Sequence, residues 1–262
     1  MIAKLKAFQF KRRTFSYPYI IFMFIFIVLP LVLILMNAFL VDGKLSLGNL
    51  IKFFAEGASI SALSDSLMVG LLATFLCLLL GYPVAYFLNK INAGKLVVLL
   101  FILPMWVNFL IRTLATKAIF VSLGIRLGMG TVVFGMVYNY LPFMILPIHT
   151  TISNIDKSYI EASQDLGADN INAFVKVVLP LSIPGIISGI TMVFIPTIST
   201  FAISQLLSDG KIYLFGDSID TKFNMGLYGV GSVMSLIMLL VVLASNYLMS
   251  KFYPEQEGRA MW

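Results

Sequence analysis

Charged residues are scarce in this sequence. Aspartate, glutamate, lysine and arginine make up 11% of the 262 residues, and hydrophobic residues make up 60%. Soluble globular domains contain roughly 25% charged and about 45–50% apolar residues. The mean hydropathy of +0.97 is likewise more hydrophobic than is usual for such domains. The composition therefore excludes an ordinary water-soluble protein and predicts one membrane-embedded domain over residues 1–262.

Thiol and imidazole groups are almost missing. Cys77 is the only cysteine, so the chain can form no internal disulfide, and its apolar surroundings predict a packing role. His149 is the only histidine, which leaves no second imidazole for a metal cluster or a proton relay. The pattern G-x-x-x-x-G-K-[ST] does not occur, so no ATP site of the Walker A kind is expected. The sequence thus predicts no catalytic residues, no metal site and no cofactor.

Basic residues exceed acidic ones by 18 to 12, a balance that can indicate nucleic-acid binding. Here five of the basic residues precede the first apolar run, as in the cytoplasmic flank of a membrane protein. That run exceeds the length of a signal-peptide core and no small-residue cleavage site follows it, so a retained helix is predicted. We therefore expect these basic residues to face a lipid bilayer and not a nucleic acid.

Six charge-free runs are the basis of the fold prediction. A membrane helix needs about 20 mostly apolar residues. The third run is short, but it can span if Arg112 and Lys117 extend to the far interface. The sequence thus predicts an all-α polytopic integral membrane protein with six transmembrane helices. The runs cover residues 14–41, 66–89, 96–111, 127–155, 177–208 and 223–250.

An even number of spans places both termini on one side of the membrane. The basic N-terminal tail assigns that side to the cytoplasm, together with residues 89–95 and 153–176. Eleven of the 18 lysines and arginines then lie inside. The outer loops, 42–62 and 209–222, are too short for a ligand-binding domain, so capture of a dilute solute would need another protein.

Residues 153–180 interrupt the apolar pattern with a polar segment of helical periodicity. Asp156 can cap a first helix, Gly167 suits a left-handed turn at its end, and Pro180 marks the start of the next membrane helix. The pattern predicts a helix–turn–helix outside the hydrocarbon, although periodicity alone also allows a solvated loop. The apolar positions are Ile155, Tyr159, Ala162 and Leu166, followed by Ile171, Phe174 and Val178.

The stretch EASQDLGADNINAFVKVVLP, residues 161–180, resembles the EAA loop of binding-protein-dependent ABC importer permeases. It departs from that motif at Ser163, which replaces an alanine, and at Val177, which replaces an isoleucine. The resemblance implies that this loop docks in a cleft of a cytoplasmic ATPase and transmits its closure to the membrane. The motif positions are Glu161, Ala162, Ser163, Gly167, Leu179 and Pro180.

Most of residues 65–250 resemble one branch of that family, the spermidine/putrescine permeases, and within it the B subunit. The stretches are LPMWVNFLIRT, VYNYLPFMILPIHTTIS and LPLSIPGIISGI. The resemblance implies a type I importer permease fold in the bacterial cytoplasmic membrane. It also implies a second homologous permease subunit, a dimer of ABC ATPases and an extracytoplasmic substrate-binding protein.

Polar residues within the predicted spans are candidates for a transport pathway, because such groups are costly in lipid. The alternative for each is a hydrogen bond between helices. Asp65 has two interpretations, as an N-cap of the second helix or as a cation contact. Two acidic residues of the second outer loop, beside aromatic ones, would suit a polyammonium ion. The pathway candidates are Asn108, Tyr138, Asn139, Thr197, Thr200, Asp217 and Asp220.

Three other functions remain open at this point. The chain can be an ABC permease for another small solute, such as an anion, ferric iron or thiamine. It can be a secondary transporter, although inverted repeats and buried coupling carboxylates, which would favour that function, are not found. It can also be a membrane scaffold that transports nothing.

Overall fold

A computed structural model of the chain describes residues 16–41, 43–91 and 105–252, together with residues 97, 100 and 103. The described residues are helical almost throughout, and they include one two-stranded antiparallel hairpin. The predicted basic tail, most of the inner loop 89–95 and most of the first half of the third apolar run lie outside the described residues. For the part of the chain that the structure describes, the all-α prediction is confirmed.

Two π-helical turns interrupt the helices of the described chain, at Phe24–Val28 and at Phe174–Val178. The elements in chain order are α1 (Ser16–Met23), α2 (Leu29–Phe39), β1 (Leu40–Val41), β2 (Lys44–Leu45), α3 (Gly48–Ala55), α4 (Gly57–Lys90), α5 (Phe109–Ser122), α6 (Met129–Ser153), α7 (Lys157–Asp165), α8 (Asn170–Ala173), α9 (Leu179–Leu181), α10 (Ile183–Ser199), α11 (Ala202–Ser208), α12 (Phe215–Asn224) and α13 (Tyr228–Phe252).

Among the described residues, four helical stretches are long and apolar enough to cross a bilayer. They are Tyr17–Phe39, Gly57–Lys90, Met129–Ser153 and Tyr228–Lys251. A fifth candidate is the pair Asn170–Leu181 and Ile183–Ser199, whose two helices meet at 58°. The described chain thus contains four or five candidate spans, and the predicted count of six is not confirmed.

The second membrane helix begins earlier than its apolar run predicts. α4 starts at Gly57, directly after Glu56, so Asp65 lies inside the helix and the prediction that it is an N-cap is wrong. The extension is stabilised by two contacts. Ser59 donates a hydrogen bond to Glu56 Oε2 at 3.0 Å, and Lys222 Nζ lies 2.7 Å from Glu56 Oε1. These contacts tie the first turn of α4 to α12.

The centre of the fold is formed by α4, α6 and α10, which pack against one another. Small residues allow this close approach. A Cβ added at Gly189 would lie 2.7 Å from Met144 Sδ, and one added at Gly185 would lie 2.8 Å from the Pro147 carbonyl oxygen. Backbone and side chain of α6 and α10 therefore meet here without a gap.

Candidate coupling site and membrane pathway

The predicted helix–turn–helix is present and has the predicted turn. Asp156 caps α7 by accepting a hydrogen bond from the Ser158 backbone N–H at 2.9 Å. Gly167 follows the helix at φ +89°, a left-handed conformation that favours glycine. Its N–H donates to the Gln164 carbonyl at 2.8 Å, and the Ala168 N–H donates to the Ser163 carbonyl at 3.0 Å. These bonds close the end of α7 in the way that the sequence predicts.

The second helix of the segment is capped separately. Asp169 accepts a hydrogen bond from the Asn172 backbone N–H at 2.7 Å. Across the turn, Gln164 Nε2 donates to Asn170 Oδ1 at 3.2 Å, which ties the two helices together. The chain then continues through the π-helical turn into α9, where Pro180 occupies the first turn. The segment is therefore a built structure with its own internal hydrogen bonds.

The tip of this segment exposes apolar side chains. Leu166 is 89% exposed, Ile171 is 73% exposed and Tyr159 is 60% exposed. Glu161 and Ala162 are also exposed, on α7. We call these five residues the coupling tip. Most of the surface of Leu166, Ile171 and Tyr159 is therefore uncovered in the described chain. α7 lies outside the candidate spans, whereas Ile171 belongs to the first helix of the fifth candidate pair.

The base of the segment is anchored on α4 by aromatic contacts. The Phe174 ring lies edge-to-face with Tyr86 at 4.9 Å and with Tyr82 at 6.0 Å between centroids. At the bend between α9 and α10, Ser182 is fully buried, and its hydroxyl lies 3.0 Å from the Tyr82 hydroxyl. These contacts pack α7 to α9, which we call the coupling segment, against α4.

A cavity of about 650 Å³ lies beneath the coupling segment. It separates Glu161 of α7 from Lys90, at the end of α4, and from His149, near the end of α6. At its margin, Asn89 Nδ2 donates to Ser153 Oγ at 3.1 Å and joins the ends of α4 and α6. The segment thus has free space on the side of the membrane helices.

The pathway candidates in the membrane core occupy different environments. Tyr138 is 41% exposed and lies in an open groove beside α5. Asn139 is buried, and its Nδ2 donates to the Gly135 carbonyl at 2.8 Å. Thr197 is fully buried, and its hydroxyl donates to the Val193 carbonyl of its own helix. Within this chain, therefore, these three side chains do not form one cavity.

Two further candidates lie at helix ends. Asn108 is exposed and caps α5, accepting a hydrogen bond from the Leu110 backbone N–H at 2.8 Å. Thr200 follows the last residue of α10 in an extended conformation, with φ −69° and ψ 148°. The predicted fifth run, 177–208, is therefore not one helix, because it breaks at Thr200 and Phe201 before α11 begins. Pro196, a potential helix breaker, lies within α10 four residues earlier.

The break is held by the first turn of α12. A Cβ added at Gly216 would lie 2.5 Å from the Thr200 carbonyl oxygen and 2.8 Å from that of Ser199. Asp217 Oδ2 accepts hydrogen bonds from Ser204 Oγ of α11 at 2.7 Å and from the Leu214 N–H at 2.8 Å. A helix C-terminus carries partial negative charge on its free carbonyls. The break thus leaves the carbonyls at the end of α10, with their partial negative charge, against the first turn of α12.

The two aspartates predicted as pathway residues differ. Asp217 is fully buried, and this burial raises the pKa of its carboxyl to about 6. Asp220 is half-buried and accepts a hydrogen bond from Asn224 Nδ2 at 3.1 Å. Asp217 therefore has a structural contact at the break, and Asp220 is the one with access to solvent.

Comparison with known proteins places the chain in a family. The family described as "Binding-protein-dependent transport system inner membrane component" matches residues 1–256. The chain belongs to this permease family. The predicted motif positions of such permeases lie on the segment described above, where Glu161, Ala162, Ser163 and Gly167 form α7 and its turn and Leu179 and Pro180 begin α9.

Relatives of this permease include the spermidine/putrescine transport system permease protein PotB of Escherichia coli (strain K12). It is 35% identical over 200 residues, which cover 69% of this chain and 73% of the relative. PotB of Haemophilus influenzae (strain ATCC 51907 / DSM 11121 / KW20 / Rd) is 38% identical over 178 residues, which cover 61% of this chain and 62% of the relative.

Among solved structures, a chain of a bacterial alginate ABC transporter in complex with alginate pentasaccharide-bound periplasmic protein superposes with a TM-score of 0.72. The two chains are 14% identical, and the match covers 93% of this chain and 95% of the other. At that identity the likeness shows the fold of this permease and leaves its cargo open.

Sequence reasoning missed two features of the permease. Phe174 is predicted as an apolar position, but its role as the anchor on α4 follows only from the two tyrosine rings that it meets. Gly216 gives no signal in the sequence, because its close contact with the Thr200 carbonyl depends on two elements that are separated along the chain. For the anchoring role of Phe174, the one sign available in the sequence is an aromatic residue on the buried side of the segment.

Proposed function

We propose that this chain is a permease subunit of an ATP-driven importer whose cargo is spermidine or putrescine. An extracytoplasmic binding protein delivers the cargo, and the chain itself catalyses no reaction. The ATP is hydrolysed by a dimer of cytoplasmic ABC ATPases. A second homologous permease completes the passage. The cargo is inferred from the relatives named PotB, which are 35% and 38% identical to this chain over 200 and 178 aligned residues.

The coupling tip is the observation that supports the mechanism. Large apolar side chains on an exposed polar segment indicate a protein partner. Leu166 and Ile171 project at the end of a turn that has its own internal hydrogen bonds, so the tip can enter a cleft without refolding. The aromatic contacts of Phe174 with Tyr82 and Tyr86 then carry the movement of the ATPase to α4.

The arrangement in the membrane is part of the proposal. Six membrane helices, with both termini and residues 153–180 in the cytoplasm, form a single permease domain over 1–262. Lys117 and Asp209, paired at 2.6 Å, then lie at the outer end. A cysteine at the exposed Asn154 should react with an impermeant thiol reagent only after cells are opened. Labelling of that cysteine in intact cells would reverse the assigned orientation.

The pathway residues are also a proposal. Thr200 and the free carbonyls at the end of α10 would meet the ammonium groups of the cargo, and Asp220 would attract them from the outer side. The other members of the proposed set contribute to the pathway indirectly, by positioning their helices or by shaping the protein surface. They are Asn108, Tyr138, Asn139, Thr197 and Asp217.

Reconstitution tests the class and the cargo separately. The chain, a second permease, the ATPase and the binding protein are placed in proteoliposomes, and ATP hydrolysis is measured. We expect hydrolysis to rise when the binding protein carries spermidine or putrescine. A response to sulfate or ferric iron, with none to polyamines, would overturn the cargo and retain the importer. Failure of any ATPase to purify with the chain would overturn the importer and favour a secondary transporter or a scaffold.

Gly167→Val tests the coupling turn. Valine rarely adopts the positive φ that this turn requires, so the tip should be displaced and transport lost. Gly226→Val is the matched control, because Gly226 has φ +76° and equally open surroundings but precedes α13 at the opposite end of the α4–α6–α10 core. Equal loss of transport in both variants would show general strain and not coupling.

Glu161→Lys tests the charge of the tip. The reversed charge should oppose a basic surface on the ATPase and abolish uptake, whereas the protein should remain inserted. Asp165→Lys, a charge reversal at an exposed residue one helical turn later, is the matched control. A Glu161→Lys variant with wild-type uptake and normal ATP hydrolysis would remove Glu161 from the coupling site.

A further inference from the structure

Arg112 is a buried cation that no acceptor satisfies in the part of the chain that the structure describes. Arg112 is 9% exposed, and its Nε and Nη1 atoms are both buried without a hydrogen-bond partner. The sequence predicts that this side chain extends to the membrane interface. Instead, its guanidinium carbon lies 5.8 Å from the centre of the Tyr138 ring. A cation–π contact of this kind offsets only part of the cost of burying a charge.

The guanidinium lies beside a groove that other residues keep apolar. The groove, of about 550 Å³, runs between α5 and α6. Ile111 is 61% exposed, Phe134 is 52% exposed and Val107 is 47% exposed along it. A groove with this lining has few partners for ordered water, which needs two to four polar contacts. Whatever fills the groove must therefore present an apolar surface and a hydrogen-bond acceptor for the Arg112 guanidinium.

The position of the Tyr138 contact argues against lipid headgroups as the missing acceptors. Tyr138 is nine residues from the start of α6 and fifteen from its end, which corresponds to about 13 Å and about 22 Å along the helix. The contact with Tyr138 therefore holds the guanidinium within the interior of a candidate span. Hydrocarbon chains offer no acceptors at this depth. A polyammonium cargo offers none either, because it carries the same sign of charge.

We infer that the groove between α5 and α6 is an interface with the second permease subunit, and that this partner places a carboxylate or a free backbone carbonyl on Arg112. Arginine suits such a site, since its planar fork donates two parallel hydrogen bonds. The exposed side chains of the groove then pack against a helix of the partner. This inference rests on the proposed function, because it requires a second permease.

The groove is tested by photo-crosslinking in the assembled complex. A photoreactive amino acid at Ile111 or Phe134 should crosslink to the second permease. The same group at Phe75, which is 60% exposed on α4 away from the groove, is the matched control. Crosslinks from Phe75 and none from the groove would overturn the inference. Absence of a second permease from the wild-type complex would instead contradict the proposed function.

Variants of Arg112 test the missing acceptor. Truncating one member of a buried, hydrogen-bonded charge pair at an interface weakens association strongly. Arg112→Leu should therefore lower the retention of the second permease at least about tenfold, and Arg112→Lys should restore part of it. Arg126→Gln, at an exposed arginine, is the control. Unchanged or improved retention with Arg112→Leu, at an equal amount of inserted protein, would overturn the inference.

Discussion

Removal of the Phe174 ring should uncouple ATP hydrolysis from transport. Phe174 meets Tyr86 at an interplanar angle of 71° and Tyr82 at 74°, both in edge-to-face geometry. Each such pair contributes about 0.5–1.5 kcal/mol beyond the area that it buries. Phe174→Ala therefore removes about 1–3 kcal/mol from the anchor. This corresponds to a factor of roughly 5 to 150 in the equilibrium between an anchored and a detached segment.

The assay compares basal and cargo-stimulated ATP hydrolysis of the reconstituted complex. In Phe174→Ala the coupling tip is intact, so the ATPase should remain bound and basal hydrolysis should persist. Stimulation by the loaded binding protein should fall, and polyamine uptake should fall with it. Proteolysis at Lys176, which is exposed within the same segment, should become faster because the helix is released from α4.

Phe223→Ala is the matched control for this prediction. Phe223 pairs with Tyr228 at 6.1 Å at the other end of the helical core, so its loss removes an aromatic contact without touching the coupling segment. It should lower overall stability and leave the ratio of stimulated to basal hydrolysis unchanged. A wild-type ratio in Phe174→Ala, or an equal drop in both variants, would refute the anchoring argument.

Three other variants test the outer half of the fold. Gly216→Ala should cost about 1–3 kcal/mol of stability, as overpacking does, because its Cβ would clash with the Thr200 carbonyl; thermal unfolding that matches wild type would contradict the contact. Burial raises the pKa of Asp217 in the folded state to about 6. Between about pH 4 and about pH 6 the folded state therefore holds a proton that the unfolded state has lost, so the free energy of unfolding should fall as the pH rises through this range. Asp217→Asn should abolish this pH dependence in thermal melts, and a persistent one would assign it elsewhere. The hydrogen bond from Lys222 lowers the pKa of Glu56, so that pair stabilises the fold at neutral pH and less in acid; Lys222→Gln should remove this acid sensitivity at a cost of about 1 kcal/mol or less, and an unchanged acid profile would exclude the pair as its source.

The coupling segment could be predicted from the sequence because its determinants are local. Asp156, Gly167 and Pro180 each act within a few residues of their own position, through a cap, a left-handed turn and a missing N–H. The structure contains the cap and the left-handed turn where the sequence predicts them. Pro180, in contrast, lies in the last turn of the helix Asn170–Leu181, and the next membrane helix begins only at Ile183, after the bend. Features such as the cap and the turn can be predicted without knowing which distant residues pack beside them.

The break after α10 could not be predicted for the opposite reason. Residues 177–208 are free of charge, and Pro196 is the only strong breaker near the middle of the run. The chain breaks instead at Thr200, where α12 returns to pack Gly216 on the backbone and Asp217 bonds to Ser204. This contact joins residues that no periodicity relates. The early start of α4 has the same kind of cause, since Glu56 is held by Lys222.

The side chains proposed for the pathway show the limit of composition. A polar residue in an apolar run is either in contact with cargo or in a hydrogen bond within the protein, and the sequence does not separate these. Thr197 and Asn139 donate to carbonyls of their own helices, so their donors are already satisfied in this chain, whereas Asn139 Oδ1 is buried without a hydrogen-bond partner. Arg112 is the reverse case, in which burial leaves a charge without an acceptor.

Uptake of radiolabelled putrescine into proteoliposomes is the most direct test of the account. The vesicles contain the chain with its second permease and the ATPase, and the loaded binding protein is added outside. We predict accumulation that requires ATP, that is lost in Gly167→Val, and that is retained in Gly226→Val. Accumulation without ATP, or equal accumulation in Gly167→Val and wild type, would contradict an ATP-driven polyamine importer coupled through this segment.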